Sequence, residues 1–590
     1  MIHAGEALRP FAEAGVLAAA DVHVAQRLGG LGGESDGAVL LAAAFAVRAV
    51  RFGSVCVDLA RVAESVAPTG GSDLLPWPEA TAWEAAVRAS ALVSDSTADT
   101  SADEVRPLRF ADGLLYLERY WRQQQVVGRW VDAASPAAAT AAADPLETVL
   151  DRLFPTAGPD DLQRRAAAVT ATNRFSILAG GPGTGKTWTV ARILAVLQAQ
   201  YAGRLRVALA APTGKAAARL QESIATAAAA PAFPALDRPH VEGLTASTLH
   251  RLLGARPGTS RFTFNRANRL PHDLVVVDEA SMVSLTLMSR LMEALRPDCR
   301  LVLVGDPDQL ASIEVGAVLG DLVARPGTAV VRLEVVHRFS PEIHALARAI
   351  RTGDTDAVET ALAGEGIEFL PVDAATAGPA RLAGLRDDVV GAGRAVVAAA
   401  RAGDAASALD ELVGHQLLCA HREGAYGVRQ WGRQAEAWLR TAVDGYGREG
   451  TWYVGRPLLI TQNDHQLRLY NGDVGVVVAA RGSVAGGPGG GVVRAAFKRD
   501  DSVHLEIPGR LGPVDTMHAL SIHRSQGSQY DRVTVVLPPA SSPLMTRELL
   551  YTAVTRAKEH VRIIGTREAL AAAVRRPIVR ASGLRGPAQS

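Results

Sequence analysis

The segment GGPGTGKT at 180–187 constrains this chain more than any other feature. It matches the pattern G-x-x-x-x-G-K-[ST], follows the apolar run RFSILAG and precedes KTWTVARILAVL, which has helical spacing. Glycines at such a strand-to-helix turn let backbone N–H groups point at a phosphate, and the helix N-terminus adds partial positive charge. The segment therefore predicts a site for nucleotide phosphates, with Lys186 bridging the β- and γ-phosphates and Thr187 binding Mg²⁺.

Lysine is rare in this chain, because only four of its 62 basic residues are lysine: Lys186, Lys215, Lys498 and Lys558. An ammonium is a compact point charge and a guanidinium a broad fork, so each lysine marks a position where arginine can be a poor substitute. No lysine lies two residues after Asp or Glu, and no Asn-Lys pair exists. The carboxylate–lysine signature of nucleases and the guanine-reading NKxD motif of GTPases are therefore both absent.

Composition narrows the class of protein. A length of 590 residues indicates roughly three to five domains. The net charge of +1 restricts any nucleic-acid site to a local groove. Cys56, Cys299 and Cys419 are far apart, which excludes a zinc ribbon, a Cys-ligated cluster and a disulfide framework. The N-terminus does not resemble a signal peptide, and the longest apolar run, 38–47, is half a membrane span. We expect a soluble, cytoplasmic protein that does not contact a membrane.

Strand–helix alternation begins at about residue 146 and predicts parallel sheets flanked by helices. The apolar runs divide into a first and a second series, which predicts two α/β domains. The first series is 174–180, 206–212, 273–280 and 300–306, and the second is 330–336, 415–421, 530–538 and 560–565. Short strands with glycine turns, including the tip GGPGGG at 486–491, indicate a small β-barrel inserted in the second domain.

The predicted organisation has six parts. They are an N-terminal helical, partner-docking domain (1–115), a linker (116–145), the first α/β domain with the nucleotide site (146–328), the second α/β domain (329–450 and 516–580), the inserted barrel (451–515) and a tail (581–590). The Ser-, Thr- and Asp-rich stretch 94–105 reads as an exposed linker that lets the N-terminal helices sit apart. The alternative is that these helices form a stabilising cap on the first α/β domain.

Five further residues are candidates for nucleotide chemistry. Asp278 and Glu279 end the strand LVVVDEA, where a carboxylate lies beside the phosphate loop. Asp278 is predicted to hold Mg²⁺ and Glu279 to polarise the attacking water. Gln309, in GDPDQL, can bond the γ-phosphate, and Arg338 and Arg556 can reach it from the second domain to stabilise the transition state.

Seven motifs occur in an order that resembles superfamily 1 helicases: GGPGTGKT, APTGKAA, STLHRLLG, VVVDEASM, VGDPDQLASIEVGAVL, IHRSQGSQYD and YTAVTRAKEH. The last two, together with LYNGDVGVV, are similar to the 5′-to-3′ branch, and within it to the RecD (alpha) subunits of exodeoxyribonuclease V, the RecBCD complex. The resemblance is strong over about 146–575 and weaker over 1–115. The chain departs from the usual pattern at His337, Arg524 and Gln529.

The resemblance implies an α/β fold with two RecA-like P-loop domains, an ATP site in their cleft, a small SH3-like inserted barrel and the N-terminal helical domain. It implies that Gln163 reads adenine. ATP would be bound by Gly180, Gly181, Pro182, Gly183, Thr184, Gly185, Lys186 and Thr187, with Mg²⁺ at Thr187 and Asp278. DNA would contact Pro212, Thr213, Gly214, Thr248, His250, Ser525 and Gln526.

The function implied is that of an ATP-dependent 5′-to-3′ DNA helicase, the motor of a heterotrimer with RecB-like and RecC-like subunits. Such a complex acts on DNA double-strand ends in recombinational repair, and its nuclease would lie in another subunit. One alternative is a stand-alone helicase of the same fold, and another is a P-loop ATPase that acts on proteins or small molecules. Against the last, the chain has no LSGGQ-type signature, and the GDPDQ and HRSQG segments would be unexplained.

Overall fold

The computed structural model describes residues 5–66, 75–95, 106–134, 145–156, 158, 160–256, 258–335, 340–448, 450–464, 466–480, 492–499 and 502–586. Most of the stretch 94–105, the Ala-rich segment 135–144 and the tip 486–491 lie outside the described residues, as do His337 and Arg338. Within the described part, no helix is both long and apolar enough to cross a membrane.

The N-terminal unit combines helices with a small sheet. Its elements are α1 (Arg9–Glu13), α2 (Ala19–Gly32), α3 (Gly37–Arg51), β1 (Cys56–Asp58), α4 (Val62–Val66), α5 (Ala80–Ala89), β2 (Val93–Ser94), β3 (Leu108–Ala111), β4 (Leu114–Leu117) and α6 (Glu118–Ala133). The strand order is β1-β4-β3-β2. Asp112 and Gly113 turn β3 into β4 with φ of 52° and 75°, as an Asp-Gly hairpin requires. The predicted helical domain therefore also contains a sheet.

The first α/β domain is built on a parallel sheet. Its elements are α7 (Leu146–Leu153), α8 (Leu162–Thr172), β5 (Phe175–Gly180), α9 (Lys186–Gln200), β6 (Val207–Ala211), α10 (Gly214–Ala229), β7 (Ala246–Thr248), α11 (Leu249–Leu252), β8 (Leu274–Val277), α12 (Leu285–Ala294), β9 (Arg300–Gly305), α13 (Val318–Ala324) and β10 (Val330–Leu333). The strand order is β10-β5-β9-β8-β6-β7. Because all pairs are parallel, the loops after β5, β6, β8 and β9 meet at one edge.

The assignment of 330–336 to the second domain was wrong. Strand β10 pairs with β5 of the first sheet, with Val330 opposite Ile177 and Leu333 opposite Gly180. A short apolar run does not show which of two sheets it joins. The predicted end of the first α/β domain at residue 328 is therefore one strand too early.

The second α/β domain follows the same plan around an insert. Its elements are α14 (Pro341–Thr352), α15 (Thr355–Ala361), β11 (Ile367–Leu370), α16 (Ala383–Arg401), α17 (Ala405–Glu411), β12 (His415–Cys419), α18 (Val428–Ala442), β13 (Pro457–Ile460), β14 (Val474–Ala479), β15 (Val493–Arg499), β16 (Ser502–Glu506), β17 (Val514–Thr516), β18 (Ala519–Ser521), β19 (Tyr530–Val536), α19 (Arg547–Val554), β20 (Ala557–Ile564) and α20 (Arg567–Arg575). Its parallel sheet has the order β11-β20-β19-β12-β18. The predicted two-domain α/β architecture is confirmed.

The insert is an antiparallel sheet of five strands in the order β16-β15-β14-β13-β17. The hairpins expected from the glycine turns are present, since β13 pairs with β14, β14 with β15 and β15 with β16. Among the described residues no pairing joins β16 to β17 and closes the sheet. The SH3-like barrel therefore stays a prediction.

The predicted linker 116–145 contains a buried helix. Helix α6 packs against α12 of the first α/β domain, with Trp121, Val127 and Val131 in the same apolar cluster as Leu285 and Met288. The aromatic and apolar residues of α6 recur at helical spacing, and that periodicity outweighed its polar, Gln-rich composition.

The N-terminal unit does not sit apart from the first α/β domain. Val55, Cys56 and Tyr116 belong to the apolar cluster that also contains Leu285, and Gly316 N donates to Gly53 O at 2.9 Å. The cause is that the sheet of the unit has two apolar faces, one covered by its own helices and the other by the α/β domain. This packing favours the alternative of a cap.

A buried ion pair joins the N-terminal sheet to α6. Arg109, which is 0% exposed, donates from Nε and Nη2 to the two carboxylate oxygens of Glu118, each at 3.0 Å. Arg122 Nε donates to the same carboxylate at 2.7 Å, and the ring of Trp121 lies 4.1 Å from Arg109 Cζ. Breaking a buried ion pair by removing one partner is strongly destabilising.

We expect Glu118→Ala to lower the free energy of unfolding by about 3–5 kcal/mol, because it removes the buried carboxylate to which both Arg109 and Arg122 donate. Chemical denaturation of the full chain measures the change. Glu147→Ala is the matched control, since that carboxylate is 72% exposed in its pair with Arg164 and should contribute less than about 1 kcal/mol. Equal effects of the two substitutions would show that the Arg109 pair is not a structural anchor.

Candidate active site in the cleft between the parallel sheets

The phosphate loop leaves β5 and enters α9 as the sequence predicts. Gly183 and Gly185 have φ of 81° and 79°, a conformation that L side chains rarely adopt, and Gly185 caps α9. Lys186 Nζ donates to the carbonyls of Gly180 and Gly181 at 2.7 and 2.8 Å, so the ammonium lies across the mouth of the loop. This arrangement fits the phosphates of ATP, with the helix N-terminus and the ammonium both available to them.

Gln163 lies against the same loop. A Cβ added to Gly185 would come within 2.9 Å of Gln163 Nε2, so the lack of a side chain at Gly185 leaves room for the Gln163 amide. Helix α8, which carries Gln163, is fixed by Asp161, whose carboxylate accepts from the backbone N–H of Gln163 at 2.8 Å. Its predicted contact with adenine is compatible with this position.

The acidic pair sits beyond the C-terminal end of β8, beside the phosphate loop. Asp278 Oδ1 accepts from the backbone N–H of Glu279 at 2.8 Å, and Glu279 has φ of 51°, unusual for a residue with a side chain. Burial, and then the neighbouring Glu279 charge, raise the pKa of Asp278, while Lys186 acts in the opposite direction. Such sparsely populated backbone conformations cluster at functional sites.

Three contacts cross from the loop after β9 to helix α19 and the residues that follow it. Arg556, 3% exposed, donates from Nη2 to Gln309 Oε1 at 3.1 Å. Leu310 N donates to Thr552 Oγ1 at 3.1 Å. Tyr551 Oη donates to Asp306 Oδ2 at 3.1 Å. Gln309 and Arg556, two candidates for contact with the γ-phosphate, therefore bond each other across the two domains.

Tyr551 is a site residue that the sequence analysis missed. Its hydroxyl would lie 2.9 Å from a Cβ at Gly181, so it touches the phosphate loop from the other domain. Burial raises the pKa of Tyr551 well above its usual value and also raises that of its partner Asp306. In the sequence, Tyr551 lies in YTAVTRAKEH, five residues before Arg556, and this position is the signal from which its role could have been predicted.

The residues predicted to contact DNA in the first domain lie at its loop edge. Thr213 caps α10 through a bond from Ala216 N to Oγ1 at 3.2 Å, and Thr248 caps α11 through one from Arg251 N at 3.2 Å. His250 follows on α11, with its ring 6.0 Å from that of Phe262. Pro212 and Gly214 flank Thr213, so these residues lie after β6 and around the end of β7, neighbouring strands of the sheet.

The loop after β18 lies between this face and the nucleotide cleft. Ser525 is 0% exposed and its hydroxyl donates to Ile522 O at 2.8 Å, so the structure places that side chain inside the loop. Gln526 Nε2 donates to Leu310 O at 3.0 Å, next to Gln309. Of the two predicted residues, Gln526 faces the cleft and Ser525 shapes its backbone.

Lys215 and Arg219 tie α10 of the first domain to the same loop of the second. Lys215 Nζ donates to Ser528 Oγ at 2.7 Å, and a guanidinium N–H of Arg219 donates to Gly527 O. Burial, and then the charge of Arg219, lower the pKa of Lys215 to about 8. The sequence identified Lys215 as exceptional only through the scarcity of lysine, and it gave no sign of Arg219.

The turn between β13 and β14 of the insert also reaches α10. A Cβ at Gly214 would lie 2.7 Å from Tyr470 Cγ, so the Tyr470 ring occupies the space over the start of that helix. Two other aromatic residues near the start of the insert, Trp452 and Tyr453, pack into apolar clusters. Tyr470 is thus the one of the three that lies beside a predicted DNA-contacting residue.

Known proteins match this chain along its length. A family model for the N-terminal domain of the RecBCD enzyme subunit RecD matches residues 13–116, an AAA domain matches 159–370, and a UvrD-like helicase C-terminal domain matches 516–564. The RecBCD enzyme subunit RecD of Mycobacterium tuberculosis (strain ATCC 25618 / H37Rv) is 50% identical over 599 residues, covering 100% of this chain and 98% of that protein. The chain belongs to the RecD family.

Two other relatives are less similar to this chain. The RecBCD enzyme subunit RecD of Haemophilus influenzae is 31% identical over 543 residues, covering 82% of this chain and 81% of that protein. The ATP-dependent RecD2 DNA helicase of Deinococcus radiodurans is 32% identical over 391 residues, covering 66% of this chain and 46% of that protein. The resemblance to superfamily 1 helicases is confirmed, and with it ATP as the nucleotide of this RecD-family chain.

The roles of single residues stay predictions. Arg338 lies outside the described residues, and its role in catalysis depends on the sequence alone. The described residues contain no cluster of three or more His, Cys, Asp or Glu side chains that would hold a metal ion by themselves. A Mg²⁺ ion would therefore depend on ATP oxygens in addition to Thr187 and Asp278.

We expect Lys186→Ala to abolish ATP hydrolysis and to leave single-stranded DNA binding largely intact. Loss of the ammonium at the phosphate loop should slow turnover by about a thousandfold or more. Phosphate release and fluorescence anisotropy measure the two properties. Lys498→Ala is the matched control, because that lysine is 56% exposed in the insert. Turnover of Lys186→Ala within about tenfold of wild type would contradict the assignment.

We expect Arg556→Ala to lower kcat for ATP much more than it raises KM. The guanidinium comes from the second domain and bonds Gln309, so it contributes most when the cleft is closed on the transition state. Steady-state ATPase kinetics separate the two constants, and thermal unfolding checks that this buried side chain is not needed for folding. Arg567→Ala, at a 60% exposed position, is the control. A weaker nucleotide affinity with unchanged kcat would make Arg556 a ground-state ligand.

Proposed function

We propose that this protein is an ATP-driven motor that moves 5′ to 3′ on one DNA strand and unwinds duplex ahead of it. We propose further that it works as one subunit of a RecBCD-type complex at DNA double-strand ends. The observation that carries the proposal is the set of bonds joining the ATP cleft to the predicted DNA face. Gln526 bonds the loop of Gln309, and Lys215 bonds the loop of Gln526.

Hydrolysis on this design requires groups from both domains. The phosphate loop and Lys186 bind the β- and γ-phosphates, and Glu279 is placed to accept a proton from the attacking water. Gln309 and Arg556, which bond each other, would contact the γ-phosphate from the two domains. Thr187 and Asp278 would hold the Mg²⁺ ion, which supplies charge neutralisation at the phosphates.

Movement on DNA follows from the position of the loop 525–528. This loop bonds the nucleotide cleft through Gln526 and bonds α10 through Ser528 and Gly527. A change in the distance between the domains on hydrolysis therefore displaces the loop relative to Thr213 and Gly214. Hydroxyl, backbone and small residues at such a face suit sequence-independent contact with the DNA backbone.

Partners are inferred from the relatives. The relatives that match nearly the whole chain are named as RecBCD enzyme subunits, so we propose RecB-like and RecC-like chains as partners and DNA ends as substrate. The second candidate is a stand-alone helicase, and the likeness to a RecD2 helicase favours it. Against it, the match covers less than half of that protein, namely 46%.

Two measurements test this function. We expect ATP turnover by the full chain to rise at least about tenfold with single-stranded DNA, because the cleft and the DNA face share one loop. A partial duplex with a 5′ tail should be unwound and one with a 3′ tail should not. A chain carrying Lys186→Ala is the control for contaminating ATPase and helicase activity.

Co-expression with RecB-like and RecC-like subunits from the same genome distinguishes a subunit from a stand-alone enzyme. We expect a stable heterotrimer on size-exclusion chromatography. DNA-stimulated turnover without assembly would support the stand-alone helicase. Turnover that ignores DNA would favour an ATPase acting on proteins or small molecules.

A further inference from the structure

The C-terminal segment 576–586 was predicted in part as a tail, but it is built into the fold. It begins on the second α/β domain, where Arg576 donates to Ala540 O at 2.9 Å and Ile578 N donates to Glu548 Oε2 at 2.9 Å. It ends on the first α/β domain, where Arg325 donates to Leu584 O at 2.7 Å. The segment therefore connects the two domains on a path separate from the cleft.

Between these ends the segment adheres to the N-terminal unit. Val55 N donates to Ala581 O at 2.8 Å, and Ala581 N donates to Ser54 Oγ at 3.2 Å. Gly583 N donates to Gln124 Oε1 at 2.9 Å on α6. Leu584, 1% exposed, completes the apolar cluster shared by the N-terminal unit and the first α/β domain. Three parts of the molecule thus meet along one short stretch of chain.

Arg580 lies at the centre of this junction and points at the loop that follows Gln309. Its Nη1 donates to Ser312 O at 2.7 Å and to the carbonyls of Glu314 and Gly316, each at 3.3 Å. All three bonds come from one nitrogen. A cation that bonds three carbonyls of one short loop holds that backbone in one conformation.

The N-terminal unit holds the same loop through Gly53. Gly53 O accepts from Gly316 N at 2.9 Å. A Cβ at Gly53 would lie 2.8 Å from Arg580 Cζ, and the backbone there has φ of 82°. Gly53 therefore bonds the loop through its carbonyl, and its lack of a side chain leaves room for the Arg580 guanidinium.

The opposite side of the loop belongs to the nucleotide cleft. Leu310 N and O bond Thr552 Oγ1 and Gln526 Nε2, both in the second α/β domain. Ser312 N donates to Ser281 O at 3.0 Å, just after the acidic pair. Residues 310–316 thus have the ATP site on one side and Arg580 with Gly53 on the other.

We propose that Arg580 is a positioning residue that couples the γ-phosphate-sensing loop to the N-terminal unit. With the guanidinium in place, Gln309 is presented to Arg556 in one geometry, and a partner bound to the N-terminal unit can alter ATP turnover through Gly53 and this loop. The expected change in ATP turnover rests on the proposed function, whereas the expected change in the conformation of residues 310–316 does not.

The test compares Arg580→Ala with Arg580→Lys in the full chain. Because one nitrogen makes all three carbonyl bonds, a lysine ammonium can replace it and alanine cannot. We expect Arg580→Ala to lower kcat for DNA-stimulated ATPase by about fivefold or more, with KM within about twofold, and Arg580→Lys to keep more than about half of kcat. Arg575→Ala, at an exposed arginine of the same region, is the matched control.

Hydrogen–deuterium exchange gives a second readout that needs no activity. We expect peptides covering 310–316 to exchange about tenfold faster or more in Arg580→Ala, and to stay protected in Arg580→Lys. Gly53→Ala, which crowds the guanidinium from the N-terminal unit, should reproduce both effects. Unchanged exchange in Arg580→Ala overturns the proposal whatever the ATPase shows. Faster exchange with unchanged kcat overturns the coupling, and loss of DNA stimulation in wild type refutes only the proposed function.

Discussion

The loop from Asp306 to Gly316 is the constraint on which the rest of the molecule depends. It begins at the C-terminal end of β9, where a parallel sheet directs its loops toward a ligand. Its first residues bond the second α/β domain through Tyr551, Thr552 and Arg556. Because it carries these bonds between the domains, its geometry bears on whether groups from both reach the γ-phosphate.

Burial explains why these contacts can be specific. The side chains of Asp306, Gln309 and Arg556 are all largely removed from water, and each has a polar partner. In that setting a hydrogen bond is stronger than at the surface, and an unpaired group is costly. A small rotation of one domain breaks several such bonds together. The cleft is therefore suited to two discrete arrangements rather than to a continuous range.

The sequence was sufficient for the α/β architecture and the phosphate loop, because glycine, lysine and an apolar strand leave few alternatives. It also singled out Gln309 and Arg556, which bond each other across the two domains, while their roles at the γ-phosphate stay predictions. It failed where a residue's role depends on what comes near it in space. Tyr551 and Arg219 become site residues only when the second sheet is placed on the first, and the apolar run of β10 was assigned to the wrong domain because it does not show which sheet it joins. The Asp112-Gly113 pair is a hairpin signal that the helical prediction for 1–115 did not include.

The four lysines of this chain differ in where they lie in the structure. Lys186 bonds two carbonyls of the phosphate loop, and Lys215 is enclosed between two domains beside Ser528. At both places the ammonium acts as a compact point charge on oxygen atoms of loops at the cleft. Lys498 and Lys558 instead form partly exposed pairs with Asp410 and Asp531. Rarity alone therefore does not identify a functional cation, because two of the four lysines lie in such partly exposed pairs. Arg580 likewise bonds the loop through Nη1 alone, although a guanidinium carries three nitrogens. The residue type of a cation therefore does not show how many of its nitrogens a site uses.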